Sequence, residues 1–210
     1  MRMILLAASG AFLVSALTQA PAAQAQDARA PIEQNLFISP CGEPFLAAKT
    51  EPYPIVKWFA GADANHDGKL DIDEMRADAD RFFKTLDLNG DGFIDGREVT
   101  YYETRVVPQI LASPSAALET GLIRVVMQGI QPSTPDTQLD PNQGAVFYSL
   151  FREPEPVRSA DRDFDYKITR KEFEAHSDRH FHALDRDNKG FVTLADLPRT
   201  GAERYYKTHR

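Results

Sequence analysis

Residues 63–74 read DANHDGKLDIDE and residues 87–98 read DLNGDGFIDGRE, and these two stretches decide how the chain is organised. Each places an oxygen-bearing side chain at positions 1, 3, 5, 9 and 12 and a glycine at position 6. Glycine can take the positive φ that a sharp turn needs, and a hard cation such as Ca2+ is held by six to eight oxygens. The pattern therefore predicts two oxygen cages. Position 7 contributes only its backbone carbonyl. The predicted ligands are Asp63, Asn65, Asp67, Lys69, Asp71, Glu74, Asp87, Asn89, Asp91, Phe93, Asp95 and Glu98.

Two later stretches keep this spacing but have lost ligands: residues 161–172 read DRDFDYKITRKE and residues 185–196 read DRDNKGFVTLAD. We number the four stretches loops 1 to 4 in chain order. In loop 3, Tyr166 replaces the glycine, and a side chain in the left-handed region costs about 1–2 kcal/mol. In loop 4, Lys189 puts a cation at position 5, and position 12 is the shorter acid Asp196. The sequence predicts two tight sites and a weaker third. The weaker candidate ligands are Asp161, Asp163, Asp165, Lys167, Glu172, Asp185 and Asp187.

The four loops form two copies of one unit. Loops 1 and 2 begin 24 residues apart, as do loops 3 and 4, and a shift of 98 residues aligns 12 identical residues among 36. Five identities lie outside the loops, so ligand chemistry does not explain them, and a duplication is indicated. The predicted organisation is a signal peptide over 1–25, an extended segment over 26–54, a first EF-hand-like pair over 55–105, a connecting segment over 106–156, a degenerate second pair over 157–200 and a tail over 201–210.

The segments around the loops predict an all-α fold with a mostly helical connecting segment. Residues 75–86 and 173–184 show helix-like apolar recurrence, and each joins two loops as a single helix. A shorter helix is predicted near residues 55–62, before loop 1. Pro154 and Pro156 interrupt any helix before loop 3 and favour an extended approach to it.

Position 8 is apolar in all four loops, which predicts short strand pairs between loops. Leu70 and Ile94 are expected to face each other in a two-stranded bridge that couples loops 1 and 2. Ile168 and Val192 are expected to pair in the same way in the second unit. These pairs would make binding to loops 1 and 2 cooperative, because an ion that orders one loop lowers the entropy cost at the other.

The N-terminus has the pattern of a secretory signal peptide. Arg2 precedes an apolar run over residues 4–17, and Ala23-Gln24-Ala25 forms an A-x-A cleavage site. The apolar run is shorter than the ~20 residues that a transmembrane helix needs. We therefore expect cleavage before Gln26, no membrane span after cleavage, and a periplasmic or secreted protein.

The mature chain is acidic and has a single cysteine. Removal of Arg2 leaves 23 basic and 31 acidic residues, a net charge of −8. This balance argues against a nucleic-acid partner. Cys41 has no second cysteine with which to form an intramolecular disulfide, and burial is its expected state.

Three histidines lie on the predicted helix 173–184. His176 and His180 are four residues apart and share a helix face, which could hold Zn2+ if a third ligand were present. The sequence names no third ligand. The repeat aligns His180 with Phe82, so a half-buried packing role is the competing interpretation.

The loop pattern resembles the EF-hand, and with the N-terminus it is similar to the exported EF-hand calcium-binding proteins of bacteria. The 24-residue spacing and the position-9 aspartates Asp71 and Asp95 also resemble the lanmodulins, which are periplasmic lanthanide-binding proteins. The proline that lanmodulins carry at position 2 is absent, and the residues found there are Ala64, Leu88, Arg162 and Arg186. The ligand sets predict two Ca2+ ions and a weaker third, and the resemblance to lanmodulins adds lanthanide ions as the alternative.

The function predicted is calcium binding by paired EF-hands in an exported protein that acts as a Ca2+ sensor or buffer. One alternative is a periplasmic lanthanide-binding protein, and another is a protein-interaction module that Ca2+ stabilises. The partners expected are metal ions and an unidentified envelope protein. No nucleophile–base pair, phosphate loop or carboxylate dyad stands apart from the loops in the sequence, so an enzyme is not predicted.

Overall fold

A computed structural model describes residues 34–111 and 144–208, and in these residues the fold is mixed α and β. The all-α prediction is wrong, because three two-stranded antiparallel sheets accompany the helices. One sheet is an N-terminal hairpin of β1 (Gln34–Ile38) and β2 (Pro44–Ala48). The other two are made by the position-8 strands of the loops. The predicted signal peptide and residues 112–143 of the connecting segment lie outside the described residues.

The helices alternate with the loops along the chain, as the apolar recurrence predicted. Loop 1 lies between α1 (Ile55–Ala62) and α2 (Ile72–Leu86), and loop 2 lies between α2 and α3 (Gly96–Tyr101). Loop 3 leads into α4 (Arg170–Leu184), which joins it to loop 4. The two loop-joining helices each have 15 residues, so they begin three residues before the predicted helices.

The loop strands pair between the two repeat units and not within them. The strand β3 (Leu70–Asp71) of loop 1 pairs with β6 (Phe191–Val192) of loop 4. The strand β4 (Phe93–Ile94) of loop 2 pairs with β5 (Ile168–Thr169) of loop 3. The predicted bridges between Leu70 and Ile94 and between Ile168 and Val192 are therefore wrong.

Helix length explains this correction. Loops 1 and 2 sit at opposite ends of α2, whose 15 residues span about 22 Å at 1.5 Å per residue. A helix of that length keeps the two loops apart. The helix α4 imposes the same separation on loops 3 and 4. Antiparallel packing of α2 against α4 brings the start of one helix to the end of the other, and each loop then meets a loop of the other unit.

The contact between α2 and α4 combines an apolar centre with ion pairs. Phe83 and Phe173 meet edge to face, with ring centroids 5.7 Å apart. Arg76 donates to both carboxylate oxygens of Asp178 at 2.7 and 2.9 Å. Asp80, which the repeat aligns with Asp178, lies 3.2 Å from Arg170. Equivalent aspartates thus receive arginines from opposite helices, which holds the antiparallel arrangement in register.

The β1–β2 hairpin covers the inner faces of the loop helices. Leu36 and Ile38 of β1 are fully buried in the core that contains Phe82 and Phe83 of α2. Phe37 points to the other side and meets Trp58 of α1, with ring centroids 5.6 Å apart. Successive side chains of β1 therefore enter two different cores, one beneath loops 2 and 3 and one beneath loops 1 and 4.

Buried hydroxyls connect the hairpin region to distant segments. Tyr53 donates to the Leu36 carbonyl at 2.8 Å and lies 2.8 Å from the Thr200 hydroxyl, near the C-terminal helix α5 (Gly201–Thr208). Tyr102 donates to the Gly42 carbonyl at 2.8 Å. A Cβ at Gly42 would lie 2.8 Å from the Tyr102 hydroxyl, and the φ of +96° there also favours glycine. Cys41 is free and buried, as predicted.

The described ends of the connecting segment are short helical turns. Residues Tyr102–Val106 continue α3 as a π-helix, and Pro108–Ile110 and Gly144–Phe147 are single 3-10 turns. The approach to loop 3 is a 3-10 turn over Arg158–Ala160, so the extended approach predicted for it is wrong. In line with the two prolines, the described residues directly before loop 3, 144–160, contain no α-helix.

Within the two described ranges, no helix combines the length and the apolar character that crossing a membrane requires.

Candidate metal centres

Loop 1 closes around its own carboxylates. Asp63 at position 1 accepts hydrogen bonds from the backbone amides of Asp67 at 3.2 Å and Gly68 at 2.9 Å. The Asn65 side-chain oxygen accepts from the Asp67 amide at 2.8 Å. Glu74 at position 12 reaches back to the Asn65 amide at 3.2 Å. These bonds turn the ligand oxygens at positions 1, 3 and 12 toward the inside of one loop.

Loop 2 repeats this network. Asp87 accepts from the Asp91 amide at 3.1 Å and the Gly92 amide at 3.0 Å. The Asn89 side-chain oxygen accepts from the Asp91 amide at 2.8 Å. Glu98 accepts from the Leu88 amide at 2.8 Å. The same residue types at the same positions thus give the same loop, and both loops present oxygens of the hard type that Ca2+ prefers.

The position-9 aspartates begin the helices that follow the loops. Asp71 caps α2 by accepting from the Glu74 amide, while the Glu74 side chain accepts from the Asp71 amide, forming a capping box. Asp95 and Glu98 form the same box at the start of α3. Hydrogen bonds from the Glu98 and Arg97 amides lower the pKa of Asp95. Each capping box also fixes the position-12 glutamate, so one pair of residues both starts the helix and closes the loop.

All four loops take the left-handed conformation at positions 4 and 6. Position 6 is glycine in three loops, as the sequence pattern requires. The ligand pattern specifies no residue at position 4. Two of the four residues found at position 4, Gly90 and Asn188, are of types that tolerate positive φ. The position-4 φ values are 60° for His66, 72° for Gly90, 61° for Phe164 and 51° for Asn188.

Loop 3 closes in the same way despite Tyr166. The Tyr166 φ is +67°, so the residue adopts the strained conformation that the sequence predicted for it. Its amide donates to Asp161 at 3.1 Å, and Glu172 accepts from the Arg162 amide at 3.2 Å. Carboxylate oxygens of Asp161, Asp163 and Asp165 lie within 4.8 Å of one another. Loop 3 therefore has an assembled oxygen cluster, with two non-glycine residues, Phe164 and Tyr166, in the left-handed region.

Loop 4 keeps the turn but fills it with a lysine. Asp185 accepts from the amides of Lys189 at 3.0 Å and Gly190 at 2.9 Å. The Lys189 ammonium pairs with Asp196 and Asp187. Asp196 also accepts hydrogen bonds from the Thr193 hydroxyl and amide. These two hydrogen bonds and the contact with Lys189 together lower the pKa of Asp196 to about 2. In the described chain, no helix begins directly at the end of loop 4. Residues 194–196 form a turn, and α5 begins only at Gly201.

His176 and His180 do share one face of α4, with ring centroids 4.2 Å apart. Both are buried, so His180 is more deeply buried than the half-buried packing role expected from the sequence. Glu153 contacts both rings, and sequence reasoning missed it because it lies 23 residues before His176 in a proline-rich stretch. Burial lowers the pKa of His180. Burial alone would raise the pKa of Glu153, but its contacts with the two histidines lower it to about 2.

Comparison with known families agrees with the geometry of the first two loops. The family model described as EF hand matches residues 55–77, which contain α1 and loop 1, and residues 79–99, which contain loop 2. These two segments are EF-hand motifs, and they support an EF-hand calcium-binding protein. Loops 3 and 4 lie outside the matched residues. A search of curated proteins gave no match.

Proposed function

We propose that this chain is an exported Ca2+-binding protein that acts as a buffer or is stabilised by the ion, with loops 1 and 2 as its main sites. The observation that supports this most directly is the shared geometry of these loops. In both, the position-1 aspartate and the position-12 glutamate are bonded to loop amides. A loop held in this way has less conformational entropy to lose when an ion binds.

The packing of the helices favours a buffer over a sensor that exposes an apolar groove. Sensor EF-hands open an interhelical face when Ca2+ binds. Here the inner face of α2 is covered within the chain, because Phe82 and Phe83 pack with Leu36 and Ile38 of the hairpin. Opening this face would require separation of the hairpin as well. We therefore expect Ca2+ to stabilise the fold without a large change of shape.

Calorimetry on the protein from Gln26 onward tests this proposal. Two tight sites are expected, Glu74→Gln and Glu98→Gln should each remove one, and Glu174→Gln is the matched control on the exposed face of α4. At a free Ca2+ concentration of about 100 times Kd, each site should add about 2.7 kcal/mol to the free energy of unfolding. Circular dichroism and binding of an apolar dye should change little. Four equal sites, or a large Ca2+-induced rise in dye binding, would contradict the proposal.

A protein-interaction module stabilised by Ca2+ is the second candidate, and one observation favours it. Phe164 and Tyr166 of loop 3 are 80% and 79% exposed, and loop 2, whose strand pairs with that of loop 3, exposes Leu88. Large apolar side chains grouped on a surface are typical of contact sites. The lanthanide alternative gains no such support, because Asp71 and Asp95 already have a role as helix caps.

Export is proposed from the sequence pattern of the N-terminus, in which Arg2, the apolar run over residues 4–17 and Ala23-Gln24-Ala25 follow one another. N-terminal sequencing of the protein recovered from the medium or the periplasm should begin at Gln26. Recovery of the intact N-terminus from the cytosol would contradict it. A role as a binding protein and not an enzyme is part of the same proposal, and its support is the EF-hand match.

A further inference from the structure

A second type of metal-ligating group lies outside the four loops. The Nε2 atom of His176 is 3.1 Å from one carboxylate oxygen of Glu153, and the Nε2 atom of His180 is 3.1 Å from the other. The three potential ligand atoms lie within 4.8 Å of one another. His176 is 2% exposed and His180 is 5% exposed. Two imidazoles and one carboxylate thus converge at a largely buried point.

Hydrogen bonding does not account for all of these atoms. The Glu153 Oε2 and His176 Nε2 atoms are buried and lie near each other, yet neither makes a hydrogen bond with acceptable geometry. Buried polar atoms without partners are rare and costly. A tetrahedral ion with nitrogen and oxygen ligands at about 2.0–2.1 Å separates those ligands by about 3.3 Å. The observed separation of 3.1 Å is close to that value.

We propose that Glu153, His176 and His180 form a site for a divalent transition metal ion of the Zn2+ class. Imidazole nitrogen with carboxylate oxygen is a donor set for such ions, whereas Ca2+ takes oxygen ligands alone. The site therefore differs chemically from the loops and does not compete with them for Ca2+. The Glu153 side chain remains 26% exposed, so the cluster lies close to the protein surface.

Arg179 opposes the site in the absence of metal. Its guanidinium lies 2.9 Å from Nδ1 of His176, and because arginine can only donate, that nitrogen must be unprotonated. A neutral His176 then carries its proton on Nε2, the atom that would bind the ion. Metal binding requires the other tautomer, with the proton on Nδ1, so the Arg179 side chain must move away. The Arg179 guanidinium also donates a hydrogen bond to the Ala175 carbonyl at 3.2 Å on the exposed surface of α4.

The position of the site gives it a structural consequence. The two histidines lie on α4, which joins loops 3 and 4, and Glu153 lies in the stretch that leads to loop 3. Phe151 stacks on the His180 ring at a centroid distance of 3.7 Å. A bound ion would fasten this stretch to α4 at a point separate from the EF-hand loops. Zn2+ should therefore raise thermal stability in addition to any effect of Ca2+.

The test uses protein without a polyhistidine tag, saturated with Ca2+ so that the loops are filled. Co2+ is the spectroscopic probe and Zn2+ is the competitor. One equivalent of Co2+ should give visible d–d absorption bands that one equivalent of Zn2+ abolishes. His176→Gln, His180→Gln and Glu153→Gln should each weaken Zn2+ binding by about 100-fold or more, since loss of an outer-shell partner alone costs about 10–100-fold. The matched control is His182→Gln, an exposed histidine on the same helix, which should bind as the wild type does.

Arg179→Gln provides a second measurement that does not remove a ligand. It should bind Zn2+ more tightly than the wild type, because Nδ1 of His176 is then free to carry the proton. Equal or weaker binding by Arg179→Gln would overturn the assignment of Nε2 as the ligand atom. Absence of Co2+ bands in the wild type, or Zn2+ binding that survives all three ligand substitutions, would overturn the site and leave a hydrogen-bonded His–Glu–His cluster. Calcium titration of each variant confirms that the protein is folded.

Discussion

The Lys189 ammonium lies 3.0 Å from Oδ2 of Asp196, so loop 4 holds a cation of its own between its position-5 and position-12 residues. The same ammonium is 3.4 Å from Asp187 at position 3. A lysine therefore neutralises carboxylates that face an ion in a complete loop. Loop 4 keeps its shape and its strand pairing with loop 1 without needing a metal.

Replacing this lysine should create a metal site. Lys189→Asp removes the internal cation and supplies the missing position-5 oxygen. We expect a weak added Ca2+ site, with Kd on the order of 10⁻⁴–10⁻³ M, because Asp196 is still shorter than glutamate. Once loops 1 and 2 are filled, further Ca2+ should still shift the amide resonance of Gly190 in this variant. Lys49→Asp, which makes the same charge change at an exposed position outside the loops, should leave the Gly190 resonance unchanged once loops 1 and 2 are filled. A Gly190 resonance that does not shift in Lys189→Asp after loops 1 and 2 are filled would contradict the prediction.

The strand pairing predicts which loops influence each other. Val192→Ala, in a loop that lacks a full ligand set, should weaken binding to loop 1, because Val192 pairs with Leu70. Ile168→Ala should instead weaken binding to loop 2, because Ile168 pairs with Ile94. Coupling of about 1–3 kcal/mol would change each affinity by roughly 5- to 150-fold.

Each site is measured alone, with Glu98→Gln leaving loop 1 and Glu74→Gln leaving loop 2. The two alanine variants then serve as controls for each other, since each should affect only its own partner loop. If both variants weakened both sites equally, the effect would come from general loss of stability and not from strand pairing.

The strain at Tyr166 predicts a gain of affinity on substitution. Tyr166 has a φ of +67° and its side chain is 79% exposed, so glycine relieves strain while losing little packing. Tyr166→Gly should strengthen the third site by about 1–2 kcal/mol, or roughly 5- to 30-fold. Calorimetry in a protein with Glu74→Gln and Glu98→Gln isolates loop 3. Tyr166→Ala removes the same ring but keeps a Cβ, so it should give no such gain. Equal affinities for the glycine and alanine variants would show that strain does not limit this site.

The single cysteine reports on the stability of the whole fold. Cys41 is 2% exposed, and burial, aided by the nearby Asp78 carboxylate, raises the pKa of its thiol well above the ordinary value. Alkylation in the native protein should therefore be slow and should require opening of the core. Saturating Ca2+ should slow it further, by about 100-fold per site at 100 times Kd if opening is global. The rate is followed by mass spectrometry.

An exposed thiol provides the control for this measurement. Lys49→Cys in a Cys41→Ser background should react quickly both with and without Ca2+. Rapid labelling of native Cys41 would contradict the burial argument. Labelling that is slow but independent of Ca2+ would show that the ion does not stabilise the part of the fold that encloses this thiol.

The sequence predicted what depends on local chemistry. The ligand spacing located all four loops, and the apolar recurrence located the helices α2 and α4 to within three residues of their starts. The strain at Tyr166 followed from its position in the repeat. Each of these features is fixed by residues within one turn or one loop.

The errors concern contacts between distant residues. Leu70 and Ile94 were expected to pair because they are the closest equivalent residues in the sequence, but a straight helix holds them apart. The strand β1 was expected only as an extended segment, because the burial that favours a strand there comes from the helices of the folded chain. Glu153 was missed for the same reason, since only the folded chain brings it to the histidines.

The pairing of loops between the two units bears on how such a chain could arise. A single copy of the repeat, with two loops at the ends of one long helix, leaves both loop strands without partners. Two identical copies packed antiparallel would complete each other through an isologous contact, in which each surface meets its own equivalent. A gene duplication followed by fusion would turn that symmetric homodimer into one chain. The second copy could then lose ligands at loop 4, because its remaining task was to provide a strand for loop 1.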